Sequence, residues 1–306
     1  MNNPNHINME AKFKSLSVFE FQSKFPDIQS CSKYLAELKW KDGYKCPICS
    51  NLKYCKGIKD FDRQCTKCCH LESPTAGTLF HKVKFSLQKA FWIVYFISTN
   101  KKGMASTELS RKLQLRQKTC WLFKQKVMQA MESSNIHPLQ GQVELGLFDV
   151  GYLNKTSGSK KNEKNKILLA IEKKSKGISR MYGCHLKNLK QNVLNNFVKN
   201  KVDQEATLTT HDDLLNHKIG IKKAKSNIIK FNKINRATNG LKSWFAGIHG
   251  NVKYIQYYIN EYCYRYNRHL MKGEIFDDLV TRMVKHEPRP YYEIVNYAPT
   301  SYKFHP

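Results

Sequence analysis

A chain of 306 residues in which 52 Lys and Arg face only 24 Asp and Glu carries a formal charge of +28, a surplus that opposes compaction by self-repulsion unless a polyanion shares the folded state. Nucleic acid is the polyanion this favours, with binding that falls steeply with salt; a merely basic soluble protein and a binder of anionic membranes are the alternatives. No run of about 18 apolar residues is present to cross a bilayer, and residues 1–14 are polar, without the apolar core of a secretion signal.

Residues 1–15 read as a disordered leader. From Leu16 to Trp40 apolar residues recur at helical spacing (Phe19, Phe21, Phe25, Tyr34, Leu35, Leu38), with Pro26-Asp27 opening a second helix. Next come Cys46-Pro-Ile-Cys49 and, fifteen residues later, Cys65-Thr-Lys-Cys68. Each C-x-x-C turns two thiolates to one side, and two such knuckles complete a tetrahedral shell of four cysteines, so the spacing predicts a structural zinc ribbon with one Zn2+. A segment this short cannot bury enough core to fold unaided, and the metal supplies its folding energy. Cys55 and Cys69 are surplus; Cys69 adjoins Cys68 and would compete for the metal. Cysteines in a chain of this kind read as thiols and ligands before disulfides, pointing to a reducing compartment, cytoplasm or nucleoid.

Helical periodicity resumes at Phe85 and runs to about Met131, broken at 101–103 and near Leu115. The three helices, 85–99, 105–113 and 116–131, match a helix-turn-helix, with a bundle used only for packing or dimerisation as the alternative. Arg116, Lys118, Lys124 and Lys126 fall on the reading helix or its flank; Cys120, Trp121 and Val127 face the core. Between Lys101 and Lys126 basic residues outnumber acidic ones eight to one, which favours double-stranded DNA.

Pro138-Leu139-Gln140-Gly141 marks a boundary. Strands follow at 143–150, 167–172 and 178–186, the first two joined by a polar loop (154–165) whose lysines read as solvated. A helix at 190–200, a strand at 206–210 and closing helices at 252–266 and 274–285 suit a mixed α/β domain. From Leu214 to Asn260 there is not one acidic residue. Tyr254, Tyr257, Tyr258 and Tyr262 read as core; Arg265, Asn267 and Arg268 are in reach of phosphates.

These segments together resemble a family. Phe19…Phe25-Pro26…Trp40-x-x-Gly43-Tyr44-x-Cys46-Pro47-x-Cys49 is followed by the second knuckle and then by Ser73-Pro74-Thr75-Ala76-Gly77-Thr78-Leu79-Phe80 and Lys118-Thr119-Cys120-Trp121. Leu241-Lys242-Ser243-Trp244, Gly247-Ile248-His249-Gly250, the stretch from Asn260 to Arg268 and Phe276-Asp277-Asp278-Leu279 continue the match to about residue 290. The order is similar to that of zinc-ribbon insertion-sequence transposases related to the eukaryotic Merlin superfamily. The resemblance implies a multidomain α+β chain: N-terminal helices with the ribbon (16–82), the helix-turn-helix region (83–137), an RNase H-like transposase domain (138–290) and a tail (291–306). It further implies binding of terminal inverted repeats as a homo-oligomer on nucleoid DNA, without membrane association, with Lys242, His249, Arg265 and Arg268 joining the basic residues of the reading helix. Catalysis in that family uses an acidic triad and two Mg2+ or Mn2+ ions.

At the triad the chain departs from the pattern. Gly146 falls at the first acidic position, with Asp149 three residues on; because strand side chains alternate with period two, a bulge would be needed to bring Asp149 to the same face. His211 falls at the second position, with Asp212 one residue late, and Asn235 at the third. Three readings stay open: a transposase working through Asp149, Asp212 and Asn235, a descendant that binds DNA without cutting it, and a DNA-binding regulator with no strand chemistry.

Overall fold

Ser17 and Asp27 start the first two helices of the computed structural model, which describes residues 16–100, 103–133, 137–150, 165–174, 177–186, 188–220, 222–223, 233–246, 254–269, 271 and 274–295. In α1 (Val18–Lys24) the Ser17 side chain accepts from the Glu20 N–H while the Glu20 carboxylate accepts from the Ser17 N–H. Asp27 and Ser30 repeat this reciprocal arrangement for α2 (Ile28–Lys39), satisfying donors that a helix start leaves unpaired. The chain is mixed α+β and divides into two compact units, Met1–Ala130 with Leu270–Asn296, and Met131–His269 with Tyr297–Pro306.

In the first unit β1 (Tyr54–Lys56), β2 (Arg63–Cys65) and β3 (Leu71–Glu72) form a small antiparallel sheet. Lys39, closing α2, anchors it: its ammonium lies 2.6 Å from the Glu72 carboxylate, both side chains largely buried, and donates to the Ser73 and Ala76 carbonyls. The Ser73–Phe80 motif is a turn held from within by Thr78, whose hydroxyl donates to the Thr75 carbonyl and accepts from the Phe80 N–H. Then come α3 (Leu87–Thr99), capped by Ser86, α4 (Ser106–Leu113) and α5 (Gln117–Ala130). Gln114 takes a left-handed conformation after α4, and Ser110 pins the turn by exchanging hydrogen bonds with Leu115.

The second unit is a five-stranded sheet ordered β6-β5-β4-β7-β8, from β4 (Gln142–Val150), β5 (Asn165–Lys174), β6 (Gly177–Leu186), β7 (Thr207–Thr210) and β8 (Lys222–Lys223). The first three strands run antiparallel in sequence; β7 lies parallel to β4, and β8 parallel to β7. Even-numbered side chains of β4 (Phe148, Val150) join a core with α8 (Lys233–Ala246) and α9 (Ile255–Asn267). Odd ones (Val143, Leu145) join a core on the other face with α6 (Gln191–Lys201) and α7 (Asp213–Ile219). The outer edge of β6 is covered by α9: Asn267 accepts from the Met181 N–H and donates to the Met181 carbonyl, while Gln256 does the same for His185 N–H and Gly183 O. These side chains occupy an edge that would otherwise template pairing with another chain.

At the hairpin end the Glu172 carboxylate accepts from Arg180 at 2.6 Å and from the Gln140 N–H at 2.8 Å, and Arg180 also donates to the Pro138 carbonyl. Burial pushes the Glu172 carboxyl up, but Arg180 and the Gln140 N–H outweigh it and hold it below its ordinary 4.5. A depressed folded-state value adds stability that is present above the unfolded value and lost as pH falls through the folded one. Glu172→Gln is therefore expected to lower unfolding free energy at pH 7 by about 2 kcal/mol and to flatten the acid limb of stability below pH 4.5, read by urea melts across pH.

The last two helices, α10 (Ile275–Lys285) and α11 (Tyr291–Val295), belong to the first unit. Phe276 lies 5.4, 5.5 and 6.0 Å from the ring centres of Phe21, Phe25 and Phe91. The helix expected to end the 138–290 region therefore completes the N-terminal core, which also unites the segments 16–82 and 83–130.

Candidate functional site

The two cysteine knuckles are built alike. Ser50 N–H donates to Cys46 O and Cys69 N–H to Cys65 O, while Cys46 and Cys65 N–H groups donate to Asn51 O and His70 O. Ser50 and Cys69 both sit at φ +57°. These matching turns aim Cys46, Cys49, Cys65 and Cys68 at one point, with all four sulfurs within 4.8 Å of one another. Burial raises the Cys65 thiol, but the Cys68 N–H, the Asn51 amide and the Lys67 N–H outweigh it and bring it down to about 6. The Tyr44 hydroxyl is buried beside Cys46 without a hydrogen-bond partner among the described residues; a Cys46 thiolate is the acceptor that would satisfy it. Four thiolates so disposed are the donor set of a structural metal such as zinc, and the residues fit it. Cys69, expected as a competitor, serves the knuckle's left-handed turn, and Cys55 is exposed on β1.

On α5 the basic residues separate. Arg116 and Lys118, at its start, are exposed; Lys126 is half-buried and its ammonium pushed below the usual lysine range by burial. Lys124 is only 7% exposed, so it does not share the solvent face expected for it: an α5 side chain at that position turns inward with Phe123 and Val127. Trp121, expected in the core, is half-buried.

In the second unit β4 pairs with β7 up to Leu145 opposite Thr210; Gly146 is the next residue of β4, and His211 follows the end of β7. A side chain at Gly146 would point at α8, where a Cβ would come within 2.5 Å of Ile234 Cγ1. The carboxylate on this face is Glu144, two residues earlier and 1% exposed. It lies 3.3 Å from Lys173 Nζ on β5 and 3.4 Å from His211 Nε2, and its Oε1 has no hydrogen bond among the described residues. Sequence reasoning missed Glu144; the signal was a charged residue two positions before Gly146, on the same face of β4.

The displaced acids are engaged elsewhere. The β4–β5 register runs unbroken from Val143 opposite Glu172 to Val150 opposite Asn165, so β4 has no bulge to turn Asp149 onto the Gly146 face. Asp149 instead forms an ion pair with Lys166 at 3.1 Å. Asp212 caps α7, its Oδ1 accepting from the Leu214 and Leu215 N–H groups at 2.9 and 3.2 Å. Asn235 is exposed on α8.

Of the C-terminal basic residues, Lys242 is exposed, with its ammonium 5.7 Å from the Phe148 ring. Arg265 is bound within its helix to Glu261 at 2.7 Å, its side chain 13% exposed. Arg268 lies over Tyr264, and Asn267, expected near phosphates, spends its amide on Met181. His249, the 154–164 loop, the leader and residues 296–306 of the tail lie outside the described residues. No described helix is long and apolar enough to cross a membrane. Compared with known proteins, the chain matches no family model, no curated protein and no solved structure.

Proposed function

We propose that this chain is a DNA-binding protein on the plan of the zinc-ribbon insertion-sequence transposases, one that binds terminal inverted repeats and lacks strand chemistry. The observation that carries the reading is the β4–β7 register, which ends with Leu145 opposite Thr210, one residue before Gly146 and His211. Three antiparallel strands followed by two parallel to the first, with helices on both faces, are the arrangement an RNase H-like domain requires. In such a domain the adjacent ends of these two strands are where the carboxylates would stand. Here one position has no side chain and the other is an imidazole paired with Glu144, whose second oxygen faces Lys173. Mg2+ is held by oxygen ligands, usually carboxylates, and this group does not provide a pair of them.

The DNA-binding half rests on the +28 charge, on a structural Zn2+ held by Cys46, Cys49, Cys65 and Cys68, and on α4–turn–α5 read as a helix-turn-helix with Arg116 and Lys118 exposed at the start of its second helix. Anisotropy titrations of a labelled inverted-repeat duplex are expected to give a linear fall of log affinity with log salt. Arg116→Ala and Lys118→Ala should each lower the slope by about 0.9, whereas Lys124→Ala leaves it unchanged. Absence of binding at low salt overturns the reading. Cleavage in Mg2+ or Mn2+ that is abolished by Asp149→Ala or Asp212→Ala overturns the loss of chemistry.

A further inference from the structure

Between α2 and the small sheet of the first unit lies a groove of about 480 Å3, within the size range of ligand sites, whose walls include Trp40, Tyr54 and Arg63. The Arg63 guanidinium is held between two rings, 4.3 Å from the centre of Trp40 and 4.0 Å from that of Tyr54. It has no hydrogen-bond or ion-pair partner among the described residues. An arginine held against aromatic faces is pre-oriented, and the donors in its plane remain to be used. Asp62, the preceding residue, also lines the groove; it is 8% exposed, and its carboxylate likewise lacks a partner among the described residues. An oriented guanidinium with unused donors beside a carboxylate with unused acceptors presents a paired donor and acceptor set to the groove.

The charge around the groove narrows what that is. Lys33, Lys56 and Arg63 are matched by Glu37, Asp60 and Asp62, so the groove is locally neutral in a chain of charge +28. A phosphate would meet three carboxylates there. A guanine base meets complementary groups: its O6 and N7 accept the two parallel donors of an arginine, and a neighbouring carboxylate accepts from an exocyclic amine.

Resting on the DNA-binding reading above, we infer that the Arg63–Asp62 groove is a guanine-reading site of the ribbon, Arg63 donating to O6 and N7. Asp62 accepts either from the amine of that same guanine when unpaired or from the N4 amine of its paired cytosine. Trp40 and Tyr54 fix the guanidinium in place, so this contact needs the fork of arginine and not merely a positive charge.

The test uses the full chain with its metal, and fluorescein-labelled guanine–thymine repeat probes, single-stranded and as duplex, each prepared with guanine and with 7-deazaguanine, which lacks the N7 acceptor. Loss of N7 is expected to weaken wild-type binding about tenfold in the arm corresponding to the state read, single strand or duplex. Arg63→Lys should remove that discrimination while metal content and circular dichroism stay unchanged, and Asp62→Asn should reduce affinity for guanine probes over thymine-only ones. Because the 7-deazaguanine comparison is made on the wild-type chain, it decides the matter even if a variant fails to fold. Salt-sensitive binding with no discrimination in either arm overturns the guanine site alone. No binding to any probe at low salt overturns it together with the DNA-binding reading.

Discussion

On the proposal that the four-cysteine cluster holds zinc, Cys65→Ser is expected to take the metal content from one per molecule to none and to unfold the ribbon while leaving the remaining helices of the first unit intact. The three strands hold only three, three and two residues, and every side chain of β1 is exposed. Their core amounts to Ala36, Trp40, Tyr44, Cys46 and Cys65 with Cys49 and Phe61 beside it. So little apolar burial does not offset the ordering entropy of roughly 25 residues at about 1–2 kcal/mol each, whereas structural zinc contributes on the order of 10 kcal/mol. The helical core draws on Phe21, Phe25, Phe91 and Phe276 and does not depend on the metal. Elemental analysis gives the stoichiometry, and hydrogen exchange locates the loss to residues 46–72. Cys55→Ser and Cys69→Ser should keep the metal, since neither sulfur joins the four-sulfur cluster. Persistence of exchange protection across the ribbon in the Cys65→Ser chain would sink the metal's structural role.

What the sequence made legible was what depends on spacing along the chain. The C-x-x-C knuckles, the Ser17 and Asp27 caps and the alternation of β4 are local patterns whose physics acts within a few residues, and period-two alternation already implied that Asp149 faces away from Gly146. What it hid depends on partners far away in the chain. Phe276 packs on Phe21 from the opposite end of the sequence, which no window on helical periodicity sees. Lys124 reads as a surface cation until neighbouring helices close over it. Asn267 reads as in reach of phosphates, yet it and Gln256 are fixed by the open edge of β6, a property of the sheet and not of α9. Glu144 was passed over because its significance comes from Lys173 on β5 and His211 just past β7, both on parts of the chain that only the sheet brings beside β4.

On the reading proposed above, Gly146→Asp tests how deeply the departure from an acidic centre is built into the fold. If catalysis were lost only through one missing carboxylate, restoring it would bring metal-dependent cleavage back. The geometry predicts otherwise: any Cβ at Gly146 meets Ile234 Cγ1 at 2.5 Å, and a new carboxylate would stand two residues from Glu144 on the same face of β4. Overpacking of this kind costs about 1–3 kcal/mol, and burying a further polar group with no donor adds about 1–3 kcal/mol. Gly146→Asp is therefore expected to lose about 4 kcal/mol in urea unfolding and to remain silent in cleavage assays with Mg2+ or Mn2+. Gly146→Ala should show the steric part alone. Ile234→Ala costs about 2–4 kcal/mol in the native background but clearly less beside Gly146→Asp, because the space it opens is the space the new side chain needs. A double-mutant cycle reads that coupling directly. A Gly146→Asp chain as stable as the native one and able to cut DNA would mean that β4 and α8 separate readily, and that the centre is one substitution away from chemistry.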